Sequence, residues 1–134
     1  MYLNKLSGEQ KELFLDICIH VAQVDNVLAE EEKQYIKDYV AEMQLEKVRY
    51  LPNNSFEKAV SSIKQISTPT ELRIIFFEVV ALALADIKLV EKEQEVIDGL
   101  LESFSLDEEF KDRAIASLKS LTDLYAEINA LIFV

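Results

Sequence analysis

Apolar side chains recur every three to four residues along most of this chain, the signature of amphipathic α-helices. After Ser7, the residues Leu13, Phe14, Ile17, Cys18, Val21 and Ala22 trace one helical face that should end near Asp25-Asn26. Ser7 with Gln10 three residues on has the form of a capping box. A second helix over about residues 30–43 puts Tyr35, Ile36, Tyr39, Val40 and Met43 on one side. A short helical turn at 46–51 stops at Pro52-Asn53-Asn54, a loop signal. Ser55 then caps a helix to Ile66 with Phe56, Ala59, Val60 and Ile63 inward.

Thr68-Pro69-Thr70-Glu71 is a second helix start, with Thr at the cap, Pro at the first position and Glu at the third. The helix it opens runs to about Asp86 and is apolar almost all round, which marks a central, buried element. The next, about Glu91 to Phe104, turns Val96, Ile97, Leu100 and Leu101 inward. Asp107 caps a helix carrying Phe110, Ala114, Ile115 and Leu118, and Thr122 caps a last one. The closing Leu131-Ile132-Phe133-Val134 should pack into the core or dock against another chain, because an exposed apolar tail is unfavourable. The pattern predicts an all-α protein: a single domain over residues 1–134, built as one compact bundle of seven or eight helices.

An acidic phrase occurs twice, sixty-one residues apart: AQVDNVLAEEE at 22–32 and ALADIKLVEKE at 83–93. The copies share Ala22/Ala83, Asp25/Asp86, Leu28/Leu89, Glu30/Glu91 and Glu32/Glu93, and the match continues at Ile36/Ile97 and Leu45/Leu106. This predicts an internal duplication with halves of about 8–66 and 68–132. In each copy a buried helix ends at the Asp and an acidic helix begins near the Glu residues. Carboxylates in a first helical turn meet orphan N–H groups and the positive end of the macrodipole. The cap positions Ala29 and Val90 carry no acceptor, so Asp25 and Asp86 could serve the following helices instead. That account needs no ligand.

The pattern A-x-x-D-x-x-(apolar)-x-x-x-E, present twice between helices, resembles the TerB-like family over roughly residues 8–132. The resemblance implies a duplicated all-α fold, an association with divalent-metal binding and stress-response complexes, tellurite resistance among them, and no established catalysis. Its signature acids fall on Asp25 and Glu32 in the first half, and on Asp86 and Glu93 in the second. The family's usual Gly after the Asp is here Asn26 and Ile87. Asn tolerates a positive φ and Ile does not, so the first copy is the better placed of the two to hold an ion.

A divalent-cation site at Asp25, Glu32, Asp86 and Glu93 also has a physical basis. If the halves pack about a pseudo-two-fold axis, four carboxylates approach one another, and Ca²⁺ or Mg²⁺ would relieve their repulsion. Neither segment is a helix–loop–helix Ca²⁺ loop, since Val27 and Ala29 occupy ligand positions. Transition metals are disfavoured by a chain with one His and one Cys.

Charge narrows the partners. Fourteen basic against twenty-five acidic residues give a net charge of −11. Such a field repels nucleic acid and anionic membrane surfaces and favours cations or a protein partner with a basic surface. Cys18 cannot form an internal disulfide, no CxxC motif occurs, and the first residues lack the pattern of a signal peptide. The longest nearly apolar stretch, Ile74–Ala85, is interrupted by Glu78 and is shorter than the ~20 residues a bilayer requires. A cytoplasmic protein without direct membrane insertion is the expectation.

Individual polar residues add little catalytic signal. Cys18 and His20 face different directions, so Cys18 reads as a small core residue and His20 as a hydrogen-bonded, partly exposed one. Tyr35, Tyr39 and Tyr50 are core aromatics before they are a docking patch. Glu78, alone in the most apolar helix, must be paired, hydrogen-bonded or neutral, and Arg73 is a poor intrahelical partner. No phosphate loop, catalytic triad or zinc motif is present. The sequence therefore points to a non-enzymatic accessory or protein-interaction module acting through an acidic surface. A divalent-cation binder or sensor is the alternative, and a hydrolase a distant third.

Overall fold

The helical periodicity becomes six α-helices among the described residues: α1 Gly8–Ala22, α2 Glu30–Glu42, α3 Phe56–Ile66, α4 Pro69–Ala83, α5 Glu91–Ser103 and α6 Glu108–Ile132. These belong to a computed structural model that describes residues 1–24, 28–85 and 91–134. A 3-10 turn at Leu3–Lys5 precedes them, and no strand occurs among the described residues.

The two most apolar helices form the middle of the bundle. α1 packs on α2, α3, α4 and α5, while α4 packs on α1, α2, α5 and α6. Phe14, Ile17, Cys18 and Val21 of α1 are wholly buried, as are Ile75, Phe76, Val79 and Val80 of α4. Each such side chain contributes about 1.5–3 kcal/mol by leaving water, so these two helices set the position of everything else. Aromatic contacts pin the outer helices to them. Phe14 meets Tyr39 of α2 at 5.4 Å between ring centroids, and Phe76 meets Phe110 of α6 at 5.8 Å.

Local backbone features recur at the spacing of the acidic phrase. α4 and α5 begin and end sixty-one residues after α1 and α2. At the N-terminus of α1, Ser7 Oγ accepts from Gln10 N–H at 3.2 Å and Gln10 Oε1 accepts from Ser7 N–H at 2.8 Å. At α4, Thr68 and Glu71 make the same reciprocal pair at 3.2 and 2.8 Å. After α2, Gln44 takes φ 58° and Leu45 N–H bonds back to Val40 carbonyl at 3.1 Å; after α5, Ser105 takes φ 57° and Leu106 N–H bonds to Leu101 carbonyl at 3.0 Å. Both are Schellman turns, whose left-handed residue is usually Gly. The two glycines of the chain are elsewhere, in α1 and α5.

Three expectations are corrected. Residues 46–51 are not helical. They are drawn onto α1 by Asp16, which is 1% exposed: its Oδ1 accepts from Arg49 Nη1 at 2.7 Å and Asn53 N–H at 2.8 Å, and its Oδ2 from Asn54 Nδ2 at 2.9 Å. Gln23 and His20 hold the same loop, through Tyr50 carbonyl at 2.8 Å and Asn54 carbonyl at 2.8 Å. Such outside partners outweigh the weak local preference for a turn of helix. Second, Thr122 does not start a new helix; its hydroxyl donates to Leu118 carbonyl at 3.0 Å inside one 25-residue α6. The seven or eight helices expected are thus six among the described residues. Third, of the two places expected for the closing apolar residues, the core is the one they do not take, with Leu131 72% and Phe133 79% exposed.

Two consequences for stability follow from these contacts. Asp16→Ala removes the acceptor of two loop amides and one of the acceptors of Arg49, which keeps Glu12 and the Leu51 carbonyl, and should cost about 2 kcal/mol in urea unfolding. Gln44→Gly and Ser105→Gly each relieve a left-handed residue, and each should raise stability by about 1 kcal/mol. Urea midpoints of the single variants check both statements. An unchanged midpoint for Asp16→Ala would show that the loop is held some other way.

Candidate functional site

The repeated acids divide into a described pair and an undescribed pair. Asp25 and Asp86, with Ile87 and Leu89, lie outside the described residues. Glu32 and Glu93 stand at the third position of α2 and α5 and are each 2% exposed. Ala29 offers no side-chain acceptor at the cap of α2, and Glu32 Oε1 reaches back to accept its N–H at 3.3 Å. That carboxylate takes up an otherwise orphan donor beside the positive end of the helix dipole. Leu28, partly buried, packs against the core. Among the described residues no group of three or more His, Cys, Asp or Glu side chains could hold a metal ion. Of the four acids expected to form a cation site, Glu32 and Glu93 are the ones with a described position.

Glu78 finds its partner far away in sequence. Its Oε1 lies 2.8 Å from the Met1 α-ammonium, and Glu42 Oε1 lies 3.3 Å from the same nitrogen. Glu42 Oε2 also accepts Leu3 N–H at 2.8 Å, which seats the N-terminal 3-10 turn over α2 and α4. Beneath it, Tyr39 hydroxyl donates to Glu78 carbonyl at 2.7 Å. Burial alone would lower the Met1 amine, but the hydrogen bond and charge of Glu78, with Glu42 behind it, raise it above its ordinary 8.0. Burial, and then the charge of Glu78, push the Cys18 thiol and the Tyr39 phenol well above their usual ranges. Both stay protonated at neutral pH, so neither is an activated nucleophile or base. The cluster is a polar clamp inside an apolar bundle.

Two surface features remain. Glu95, Asp98 and Glu102 are exposed on α5 at spacings of three and four, hence on one face. Lys111 of α6 joins this edge, 2.7 Å from Asp98 and 2.8 Å from Glu108. Hydrogen bonds to those two carboxylates raise its ammonium above the usual Lys value. The second feature is a cleft of about 630 Å³ between α4 and the first turns of α6, lined by Arg73, Phe77, Leu106, Phe110 and Arg113. Neither guanidinium is in an ion pair among the described residues.

Sequence reasoning singled out Glu78 and missed Asp16, Arg49 and Glu42. The signal for Asp16 was the same one: a carboxylate three residues after Leu13, inside an apolar run, must be bonded where it is buried. Its partners, thirty-three to thirty-eight residues on, carried no local mark.

The Met1–Glu78 pair makes stability pH-dependent on the alkaline side. A group whose folded value is raised stabilises fully below its unfolded value, here 8.0, and loses that contribution as pH rises through the folded value. With the Met1 amine free, the urea midpoint should fall as pH rises above about 8, and Glu78→Gln should flatten that fall. Equal slopes in the two proteins would show that the ammonium contributes nothing to folding.

None of the family models, curated proteins or solved structures compared with this chain matches it.

Proposed function

We propose that the chain is a non-enzymatic interaction module of TerB-like type, a duplicated domain that recruits a basic protein partner through its acidic face. The carrying observation is the row Glu95, Asp98 and Glu102 on α5, extended by Glu108 across Lys111. It gives a net charge of −11 a defined edge to act from. Such an edge raises the local concentration of a cationic partner and its association rate more than its final affinity. The duplicated reading is supported by the equal offset of helix bounds, capping boxes and Schellman turns. A cytoplasmic place in a stress-response complex is what the family likeness adds. Nucleic acid is not a partner on this reading, because its phosphates meet the same negative field.

A second reading has its own observation: Glu32 and Glu93 are buried at matching first-turn positions. On that reading Asp25, Glu32, Asp86 and Glu93 bind a divalent cation, Ca²⁺ or Mg²⁺, and the module senses it.

The tests separate the two. A lysine-rich peptide should bind with salt-sensitive affinity, and Glu95→Lys/Asp98→Lys/Glu102→Lys should weaken it about tenfold or more. The charge-matched control Glu9→Lys/Glu46→Lys/Glu57→Lys should weaken it much less; equal loss in both would mean net charge alone acts and would reject a defined face. For the second reading, Ca²⁺, Mg²⁺, Mn²⁺ and Zn²⁺ are titrated while thermal stability and amide shifts are followed. Saturable shifts near residues 25–32 and 86–93 that vanish in Asp25→Asn/Asp86→Asn would establish a cation site. No saturable effect at millimolar ion would remove it.

A further inference from the structure

The clamp beneath the 3-10 turn is built around a group that only a free chain end provides. Glu78 is a carboxylate with its side chain 5% exposed, and its Oε1 lies 2.8 Å from the Met1 α-ammonium. Glu42 Oε1 meets the same nitrogen at 3.3 Å. Among the described residues neither acid has another ion-pair partner. Lys5, the next cation along the segment, sits instead over the Tyr2 ring at 5.8 Å. The charge of a buried carboxylate in the most apolar helix therefore depends on one α-amino group.

The repeat shows that packing does not require an acid at either place. Sixty-one residues before Glu78 stands Ile17, wholly buried in α1, and sixty-one after Glu42 stands Ser103. An apolar residue at position 78 would fill the bundle without taking a charge out of water. The two acids instead converge on one nitrogen. Glu42 Oε2 also accepts Leu3 N–H at 2.8 Å, which fixes the direction from which the segment arrives. Behind these bonds Leu3 is 0% and Leu6 5% exposed, and the 3-10 turn packs on α2. Seating the nitrogen thus seats two leucines as well.

We infer that Glu78 and Glu42 form a receptor for a freed α-amino group, so that hydrolysis of an amide at the Met1 nitrogen is the event that locks this end of the bundle. The bond broken is the C–N bond to a formyl group, an acetyl group or a preceding residue. Water adds its oxygen to the carbonyl carbon, which leaves as a carboxylate, and the nitrogen takes up the protons and becomes the ammonium. Before that step the nitrogen is an uncharged amide with one N–H where the ammonium has three. Glu78 is then buried without its counter-ion, the costly state of such a pair. A residue ahead of Met1 also carries its own ammonium about 3.5 Å away. In either form the turn leaves its seat. The lock is independent of the acidic edge on α5.

Amide hydrogen exchange at Leu3 and Leu6 reads the seat directly, since Leu3 N–H bonds to Glu42 and Leu6 N–H to the Leu3 carbonyl. The full chain is prepared with a free Met1 amine, with an Nα-acetyl group and with one Gly before Met1. Both amides should exchange about tenfold or more faster in the acetylated and extended forms. In Glu78→Ile, which copies Ile17, acetylation should change exchange by no more than about twofold, because the buried charge is gone. Glu42→Gln, at a partly exposed position, provides the same comparison where Glu78→Ile does not fold. Protein purified from its own cells should carry a free amine on Met1 by intact mass. Equal exchange in the free and acetylated wild type overturns the inference. So does an acetylation effect that persists in full in both variants, or a mature chain that keeps an acyl group or further residues on the Met1 nitrogen.

Discussion

The burial of α1 against α4 is the constraint on which the rest of this molecule depends. Both helices are too apolar to present any wide face to water, and each is covered on several sides by the others. Once they lie together, every polar group on them becomes costly unless it is met from outside. Asp16 on α1 and Glu78 on α4 are those groups. Asp16 captures the Arg49–Asn54 loop, and Glu78 captures the N-terminal amine. Two irregular segments among the described residues are therefore held by carboxylates that the central helices had to satisfy. A buried pair of this sort is weak evidence of net stability compared with an apolar substitute, but it fixes where each segment goes.

How far this could be read from sequence depended on the range of the interaction. Ser7 with Gln10, Thr68 with Glu71, and Ser55 all act within one helical turn, and their helices start where their spacing says. The all-helical class and the central α4 follow from periodicity, which is also local. The Met1–Glu78 pair spans seventy-seven residues and Arg49–Asp16 thirty-three, so no window of sequence contains them. The Schellman turns were hidden for another reason. Their left-handed residues are Gln44 and Ser105, where a glycine would have announced the turn. The continuity of α6 was obscured by Thr122, a good cap by type whose hydroxyl bonds back into its own helix.

The acidic phrase illustrates how one set of residues answers to two kinds of demand. Glu32 is explained by its bond to Ala29 N–H and by its place in the first turn of α2. A folding role of this kind does not exclude an ion, since a carboxylate has a second oxygen and several lone pairs. It does lower the weight that the phrase can bear by itself. The surface acids differ in this respect: Glu95, Asp98 and Glu102 cap nothing and are spaced along one face of α5. Exposed carboxylates with a common direction, even with Asp98 tied to Lys111 of α6, are the better footing for a partner than buried ones that complete a helix.

The two halves agree most closely where local chemistry decides and part where it changes. Through the end of α5 the second half keeps the helix bounds, the capping box and the left-handed turn of the first. It then departs: Glu108–Arg113 are helical where the matching residues 47–52 are held as a loop by Asp16, and no Pro or Asn follows at 113–115 to end the helix. A lost turn usually costs a domain the contacts that the returning helix would have made. Here the apolar pattern of the helix was kept while its own core was moved out of reach. Leu124, Tyr125 and Leu131 are the residues that this leaves uncovered, because the helical preference that carries α6 past Arg113 outweighs the burial that a break in the helix would have allowed them.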